Sequence, residues 1–459
     1  MSREFGPYPA YKDSGVEWIG EMPEKWDVVS FTKSLDSIVD YRGKTPKKVE
    51  EGIFLVTAKN VKNGTINYKI SREFVEPLNY EEIMRRGKPR LGDVLFTTEA
   101  PLGEVANVDT EDIALAQRII KIRGKQSILD NYYLKYWIMS QGFQDNLQTF
   151  ATGSTAQGIK SSKLGQLLVM LPSYIEQVKI SDYLNQKTSE IDALIADKEK
   201  LISLLEEKRQ AVITETVTKG LDPNAKMKDS GIEWIGEIPE HWEGVKLKYI
   251  GKPTMGLLYS PNDLCGEGEG FLVLRASNIQ KGNIDIDRED NVYVNKEINK
   301  NQLTLKDDLL ICARSGSREL IGKSAMIDEK SAGNSFGVFT TIYRSIYNPY
   351  IKYVFQSGLF QSQIGTYLTS TINQLTMQNL NNLEVVLPPV EEQSSIQEKL
   401  DSYTESHEQA VKEIKNQISK LKEYRESLIY EAVTGKIDLR NYGEVAELLV
   451  AERGEAYGD

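Results

Sequence analysis

The sequence predicts an α+β chain built as an internal repeat. Two globular domains of mixed α/β character are separated by two long connector helices, which pair as an antiparallel coiled coil about a pseudo-two-fold axis. Three observations predict this. The stretch "YKDSGVEWIGEMPEKW" (11–26) returns as "MKDSGIEWIGEIPEHW" (227–242), at an offset of 229 − 13 = 216. "LPSYIEQ" (171–177) and "ETVTKGLD" (215–222) return as "LPPVEEQ" (387–393) and "EAVTGKID" (431–438) at the same offset. Between these anchors "TAKNVKNGTI" (57–66) matches "RASNIQKGNI" (275–284), and "GDVL" (92–95) matches "DDLL" (307–310), at shifted offsets. Each half has fixed ends and a variable middle. A period this long marks a duplicated domain with its connector, not a solenoid.

The elements follow in order. In the first middle, "GIFLVTAKNV", "GDVLFTT" and "IALAQRIIKIR" are short strand-like runs punctuated by glycine; "FLVLRASNI", "DLLICARSG" and "VFTTIYR" play those parts in the second. A helical patch follows in each, "YYLKYWIMSQGFQDNL" and "YIKYVFQSGLFQSQI", and then a polar loop. The connectors come next. Ile191, Leu194, Leu201, Leu205 and Val212 recur at 3–4 spacing in the first, interrupted by Lys198 and Lys208. Leu400, Tyr403, Ala410, Ile414, Leu421, Tyr424 and Leu428 do so in the second, with His407 intruding. Gly220 and Gly435 suit helix stops. Narrow seams in two copies favour helix against helix over burial on one domain. About 30 helical residues would span about 45 Å, the reach of about 13 base pairs. The expected boundaries are 1–172, first domain; 173–222, first connector; 223–388, second domain; 389–440, second connector; and 441–459, an acidic tail.

Connectivity fixes direction. The first helix leaves domain one for domain two, so a second helix that pairs with it runs back. Under two-fold symmetry Lys436–Asp438 then comes to lie near Tyr11–Trp18. The repeated tryptophan-rich stretch is read as the joint between helix and domain, with Trp18, Trp26, Trp234 and Trp242 as packing plugs.

Bulk properties set limits. Of 459 residues, 40% are hydrophobic, enough for sizeable cores. Two cysteines, Cys265 and Cys312, exclude a disulfide framework and a thiolate zinc site, and fit a reducing cytoplasm. No apolar run opens the chain, and none approaches a membrane span. Net charge is −11, which argues against a nucleic-acid partner until it is counted by region. Residues 1–170 carry 23 basic and 22 acidic side chains, 227–386 carry 16 and 19, and 387–459 carry 9 and 16. The acid excess sits mainly at the C-terminal end, so basic faces remain open to both domains.

Taken together, the twin "DSGxEWIGExPExW", the twin "LPxxxEQ" opening a helix, the "IDALI" seam and the closing "VTKGLD" and "VTGKID" resemble the specificity subunit of type I restriction-modification systems. The resemblance spans nearly the whole chain. It implies two target-recognition domains, each reading one half of a split double-stranded DNA sequence, with the paired helices setting the gap and docking two methyltransferase subunits. Restriction (motor-nuclease) subunits would complete the assembly. The resemblance implies a non-catalytic chain that binds no cofactor itself; the complex is expected to use S-adenosylmethionine, ATP and Mg through its partners. Lys198 and His407 depart from an apolar seam, either loosening the pair or setting its register.

The residues show no chemistry of their own. "RGKTP" (42–46) lacks a phosphate-loop glycine at Ile38, and "GSRELIGKS" (316–324) has five residues where that loop needs four. "NPY" (348–350) lacks the second proline of an amino-methyltransferase motif. Gly266, Gly268 and Gly270 alternate with Glu267 and Glu269, which repel phosphate. With only His241 and His407, a histidine metal cluster or acid–base pair is implausible.

DNA-contact candidates follow from donor and acceptor chemistry. In the first domain they are Arg42, Lys44, Lys47, Lys48, Lys59, Asn60, Arg85, Arg86, Lys88 and Arg90. In the second they are Arg275, Asn278, Arg314, Arg318 and Lys323. The polar loops "TFATGSTAQGIKSSKL" (149–164) and "YLTSTINQLTMQNL" (367–380) add Gly153, Ser154, Thr155 and Gln157, and Ser370, Thr371, Asn373 and Gln374. Near-neutral domains leave a competing reading open, a tandem scaffold binding proteins or another polymer. An autonomous enzyme is disfavoured by the missing motifs.

Overall fold

The structure, a computed structural model, describes residues 5–41, 43, 46–152, 157–368 and 373–443. It divides into two compact units, residues 1–197 with 416–459, and residues 198–415. The division cuts both long helices, Tyr174–Lys219 and Val390–Val433. Each unit therefore holds the beginning of one helix and the end of the other. Among the described residues no helix is long and apolar enough to cross a membrane.

In the first unit a four-stranded antiparallel sheet runs in the order Leu102–Asn107, Val94–Thr98, Ile119–Gly124, Leu35–Asp40. A smaller sheet pairs Ile113–Leu115 parallel with Ile53–Val56. The apolar run at 113–123 thus serves two sheets, broken at Ala116–Arg118. The helical patch folds as two helices, Asn131–Met139 and Gln141–Thr149, parted at Ser140, whose backbone is extended. Beneath the sheet Asp93 is fully buried; it accepts from Lys121 Nζ at 3.0 Å and Arg123 Nε at 2.6 Å. Burial lowers the Lys121 pKa against the pull of that carboxylate.

The second unit repeats the frame. Its main sheet runs Lys252–Met255, Thr340–Arg344, Leu309–Cys312, Ser324–Met326, the same order read from the opposite edge. Ser335–Phe336 pairs parallel with Val273–Leu274. Helices Asn348–Gln356 and Gly358–Tyr367 part at Ser357. Ile213 and Val217, ending the first long helix, share one core with Ile396 and Leu400, near the start of the second.

The joints lie where the repeated stretch places them. Trp26 and Trp242 are fully buried, and their indole N–H groups donate to Glu176 (3.5 Å) and Glu392 (2.8 Å) in the first turn of a long helix. Trp18 packs on Trp137, ring centroids 6.0 Å apart. Gly220 and Gly435 end the long helices at φ +75° and +70°, against Trp242 and Trp26. In the first unit Tyr11 Oη donates to Gly435 O (2.8 Å) and Asp438 N to Gly6 O (2.8 Å). The expected approach of Lys436–Asp438 to the opening stretch is present.

Two expectations about the long helices need correction. They run to 46 and 44 residues, inside the expected connectors 173–222 and 389–440 but longer than the about 30 taken for their reach. The first starts directly after Ser173, where Ser173 and Glu176 exchange side-chain bonds with each other's backbone N–H. The less exposed stripe also lies one residue from several seam assignments. On the first helix it runs Ile191, Ile195, Lys198, Ile202, Leu205, Arg209, Val212, while Leu194 and Leu201 are exposed. On the second it runs Leu400, Tyr403, His407, Val411, Ile414, Ile418, Leu421, Arg425, Leu428, while Ala410 and Tyr424 are exposed. Adjacent apolar residues (Leu194–Ile195, Leu201–Ile202) allow more than one 3–4 stripe. The phase is chosen by the ends, where Ile180 and Leu184, and Ile213 and Val217, are fixed in the unit cores.

Candidate nucleic-acid interface

Folding assembles part of the first domain's basic set. A cleft of about 290 Å³ is lined by Tyr41, Lys47, Glu82, Arg85, Arg86 and Gln117. A neighbouring cleft of about 200 Å³ takes Lys48, Thr57, Lys59, Ser71, Glu73 and Arg118. Pro46 and Gln117 line both. Lys47, Arg85 and Arg86 thus meet from two loops far apart in sequence. Arg86 is held by Asp40 O (2.6 Å) and Lys48 by Glu73 (2.7 Å). Burial pushes the Tyr41 phenol up, so Tyr41 enters its cleft as a neutral donor, bound to Gly87 O.

Lys88 stands apart, paired with Glu81 at 2.6 Å beside the Tyr80 ring, and Arg90 is exposed. Gln157 is exposed next to Gly158. Arg42, Lys44, Gly153, Ser154, Thr155, Ser370 and Thr371 lie outside the described residues.

Asn60 and Asn278 are corrections. Both are buried, and their amides are spent on their own turns. Asn60 accepts from Thr57 N (2.8 Å) and donates to Asn67 O and Ile70 O. Asn278 accepts from Arg275 N (2.8 Å) and donates to Asp285 O. The asparagine side chain closing on a backbone N–H three residues earlier is a turn signal rather than a base-reading one.

The second unit gathers less charge. Arg275 is bound to Asp290 and Arg318 donates to Gly365 O (3.2 Å). Lys323 and Asn373 are half-buried. Arg314 forms a backbone bridge with Gln374, so a strand-end residue and a pre-connector loop residue do come together. Arg314 also lies over the exposed Phe339 ring, 5.5 Å from its centroid.

Sequence reasoning missed Gln117, Arg118, Glu99 and Phe339. Arg118 and Glu99 form an exposed ion pair at 3.1 Å. The available signal was a polar "QR" inside an otherwise apolar strand run. Among the described residues no group of three or more His, Cys, Asp and Glu side chains is placed to hold a metal ion.

This twofold frame, with exposed cations around loops, defines a class. The family model for the type I restriction modification DNA specificity domain matches twice, at residues 23–204 and 239–420. The chain belongs to that family, as a specificity subunit with two tandem recognition domains. It is 27% identical over 441 residues to the putative type I restriction enzyme MjaX specificity subunit of Methanocaldococcus jannaschii, covering 92% of this chain and 96% of that protein. It is 21% identical to the EcoKI specificity subunit of Escherichia coli, covering 95% and 94%. A solved chain from a study of assembly and conformational transition in a type I R-M system shares the fold, with TM-score 0.70 and 16% identity over 91% of this chain and 99% of that one.

Proposed function

We propose that this chain is the DNA-reading subunit of a type I restriction-modification complex and that each domain, 1–172 and 223–388, reads one half of a bipartite double-stranded target. The connectors, 173–222 and 389–440, pair antiparallel, hold the two halves at a set spacing and dock two methyltransferase subunits; restriction subunits join that assembly in the cytoplasm. As a specificity subunit the chain is not itself an enzyme.

One observation carries this reading: each unit encloses the start of one long helix and the end of the other. Two helices shared in that way run in opposite directions. Polar contacts inside each unit support the pairing. Arg425 Nε meets Asp192 at 2.9 Å in the first, and His407 Nε2 lies 3.6 Å from Glu206 in the second. Lys47, Arg85 and Arg86 serve as phosphate contacts, which set register without reading sequence.

The test uses the chain assembled with its methyltransferase. The triple variant Lys47→Glu, Arg85→Glu, Arg86→Glu should weaken binding to all sequences. It should also flatten the dependence of log K on log salt by about 0.9 for each phosphate no longer neutralised. An unchanged slope removes these three as phosphate contacts. A wild-type complex that binds every sequence equally would remove the recognition reading and leave the scaffold.

A further inference from the structure

One corner of the main sheet is built identically in both units and furnished with opposite chemistry. In the first unit Thr98 N donates to Arg118 O (3.1 Å) and Ile159 N to Thr98 O (3.0 Å). In the second Ala313 N donates to Phe339 O (3.0 Å) and Leu375 N to Ala313 O (2.8 Å). Those bonds make Thr98 and Ala313, Arg118 and Phe339, and Ile159 and Leu375 equivalent. One residue away, Glu99 bridges Gly158 and Arg314 bridges Gln374. Each corner thus joins a central strand, the tip of a turn and the polar loop before a connector.

The side chains do not follow the backbone. In the first unit they form the Arg118–Glu99 ion pair, with side chains 51% and 44% exposed. In the second, Arg314 lies over Phe339, which is 56% exposed. Neither pair is there for stability. An exposed ion pair contributes about 0–1 kcal/mol. A phenyl ring left more than half in water forgoes much of the gain from burying it. A fold requirement would also have kept one chemistry at both corners, as it kept Trp and Glu at both joints. Arg118 moreover lines one of the first unit's basic clefts, and Gln117 lines both.

We propose that these corners are specificity-determining, so that Arg118 and Glu99 read one base pair of the first half-site and Arg314 and Phe339 read two adjacent positions of the second. Each side chain has one fitting base edge in the major groove. Arg118 presents paired donors to guanine O6 and N7, and Glu99 accepts from N4 of its cytosine partner. Arg314 takes a guanine in the second half-site, and Phe339 lies against the methyl of a neighbouring thymine. This rests on the DNA-recognition reading above.

The test is a base-by-base binding and methylation profile of the complex assembled with its methyltransferase. Arg118→Ala should relax one G·C position of one half-site by about tenfold to a hundredfold. The other half-site, the gap and the salt slope should be unchanged. Arg314→Ala and Phe339→Ala should each relax one position of the other half-site, at adjacent base pairs. The conservative variants keep the idea falsifiable if truncation damages the turn. Arg118→Lys keeps the charge and loses the paired donors, so it should relax the same position less. Phe339→Leu keeps apolar contact and should hold the thymine preference. Equal weakening at every position, or unchanged base preferences in the variants of a wild-type complex that does read a bipartite site, overturns the corner assignment alone. A wild-type complex without sequence preference overturns the underlying reading instead.

Discussion

The two units agree where helix meets domain and part where side chains face outward. Trp26 and Trp242 both cap onto a first-turn glutamate. Tyr133 and Tyr350 both donate to a strand carbonyl, of Met170 and Val386, and lie near the last turn of a long helix at Val433 and Val217. Asp93 and Asp308 both hold an arginine of the neighbouring strand, Arg123 and Arg344. The exposed corners exchange an ion pair for an arginine over a ring. The difference teaches that the frame is specified by buried polar and aromatic contacts, which leaves rim positions free to change chemistry without a folding cost.

Even within the frame the units are unequal, and the largest expected effect comes from that inequality. Asp93 neutralises two cations, the buried Lys121 and the largely covered Arg123, where among the described residues Asp308 pairs with Arg344. Arg344 is about a third exposed and can be hydrated. Asp93→Ala should therefore cost about 3–5 kcal/mol, and Asp308→Ala about 1–3 kcal/mol. Denaturant unfolding of each variant, with hydrogen exchange in strands 119–124 and 340–344 to assign the loss to a unit, measures both. Equal losses would mean that Lys121 needs no counter-charge.

The helix stops separate the units by a smaller amount. Both glycines are left-handed, so alanine costs about 1–2 kcal/mol at either. A Cβ at Gly435 would also lie 2.3 Å from Pro23 Cγ, against 3.0 Å from Trp242 at Gly220. Gly435→Ala should lose about 1–3 kcal/mol more for overpacking, read as a lower unfolding midpoint.

Much of the frame was legible because identical residues recur at a constant offset, which needs no knowledge of contacts. Strand runs and both helix stops could be read from local pattern. The helix starts were legible too, from the twin LPxxxEQ, and Ser173-x-x-Glu176 adds a capping pattern at the first. The stripe phase could not be read locally: Leu194 and Ile195 are equivalent to any 3–4 count, and only the packing of Ile180 and Ile213 decides between them. The candidate interface was the least legible part. Lys47 and Arg85 share a cleft through tertiary folding, and Arg118 acquires meaning only beside Glu99. Asn60 and Asn278 were misread because an amide suited to adenine is equally suited to a turn.

The stripe carries the smallest and most discriminating comparison. Basic side chains lie half-buried or buried in it, Arg425 in the first unit and Lys198, Arg209 and His407 in the second, and Arg425 and His407 make the sharpest contrast. Arg425 is answered by Asp192 and by Asn63 O at 3.3 Å. His407 is buried and, among the described residues, neither ring nitrogen has a hydrogen-bond partner; Glu206 is 3.6 Å away. A buried polar group without a partner costs about 1–3 kcal/mol, so His407→Leu should stabilise the second unit by about 1 kcal/mol. Arg425→Leu should give no such gain, because it abandons Asp192. If His407→Leu raises the unfolding midpoint as expected and methylation also spreads to targets with altered gaps, the histidine trades stability for register, as single polar residues do in paired helices. If it lowers the midpoint, the Glu206 contact is worth more than its length suggests, and the two basic positions are doing the same job.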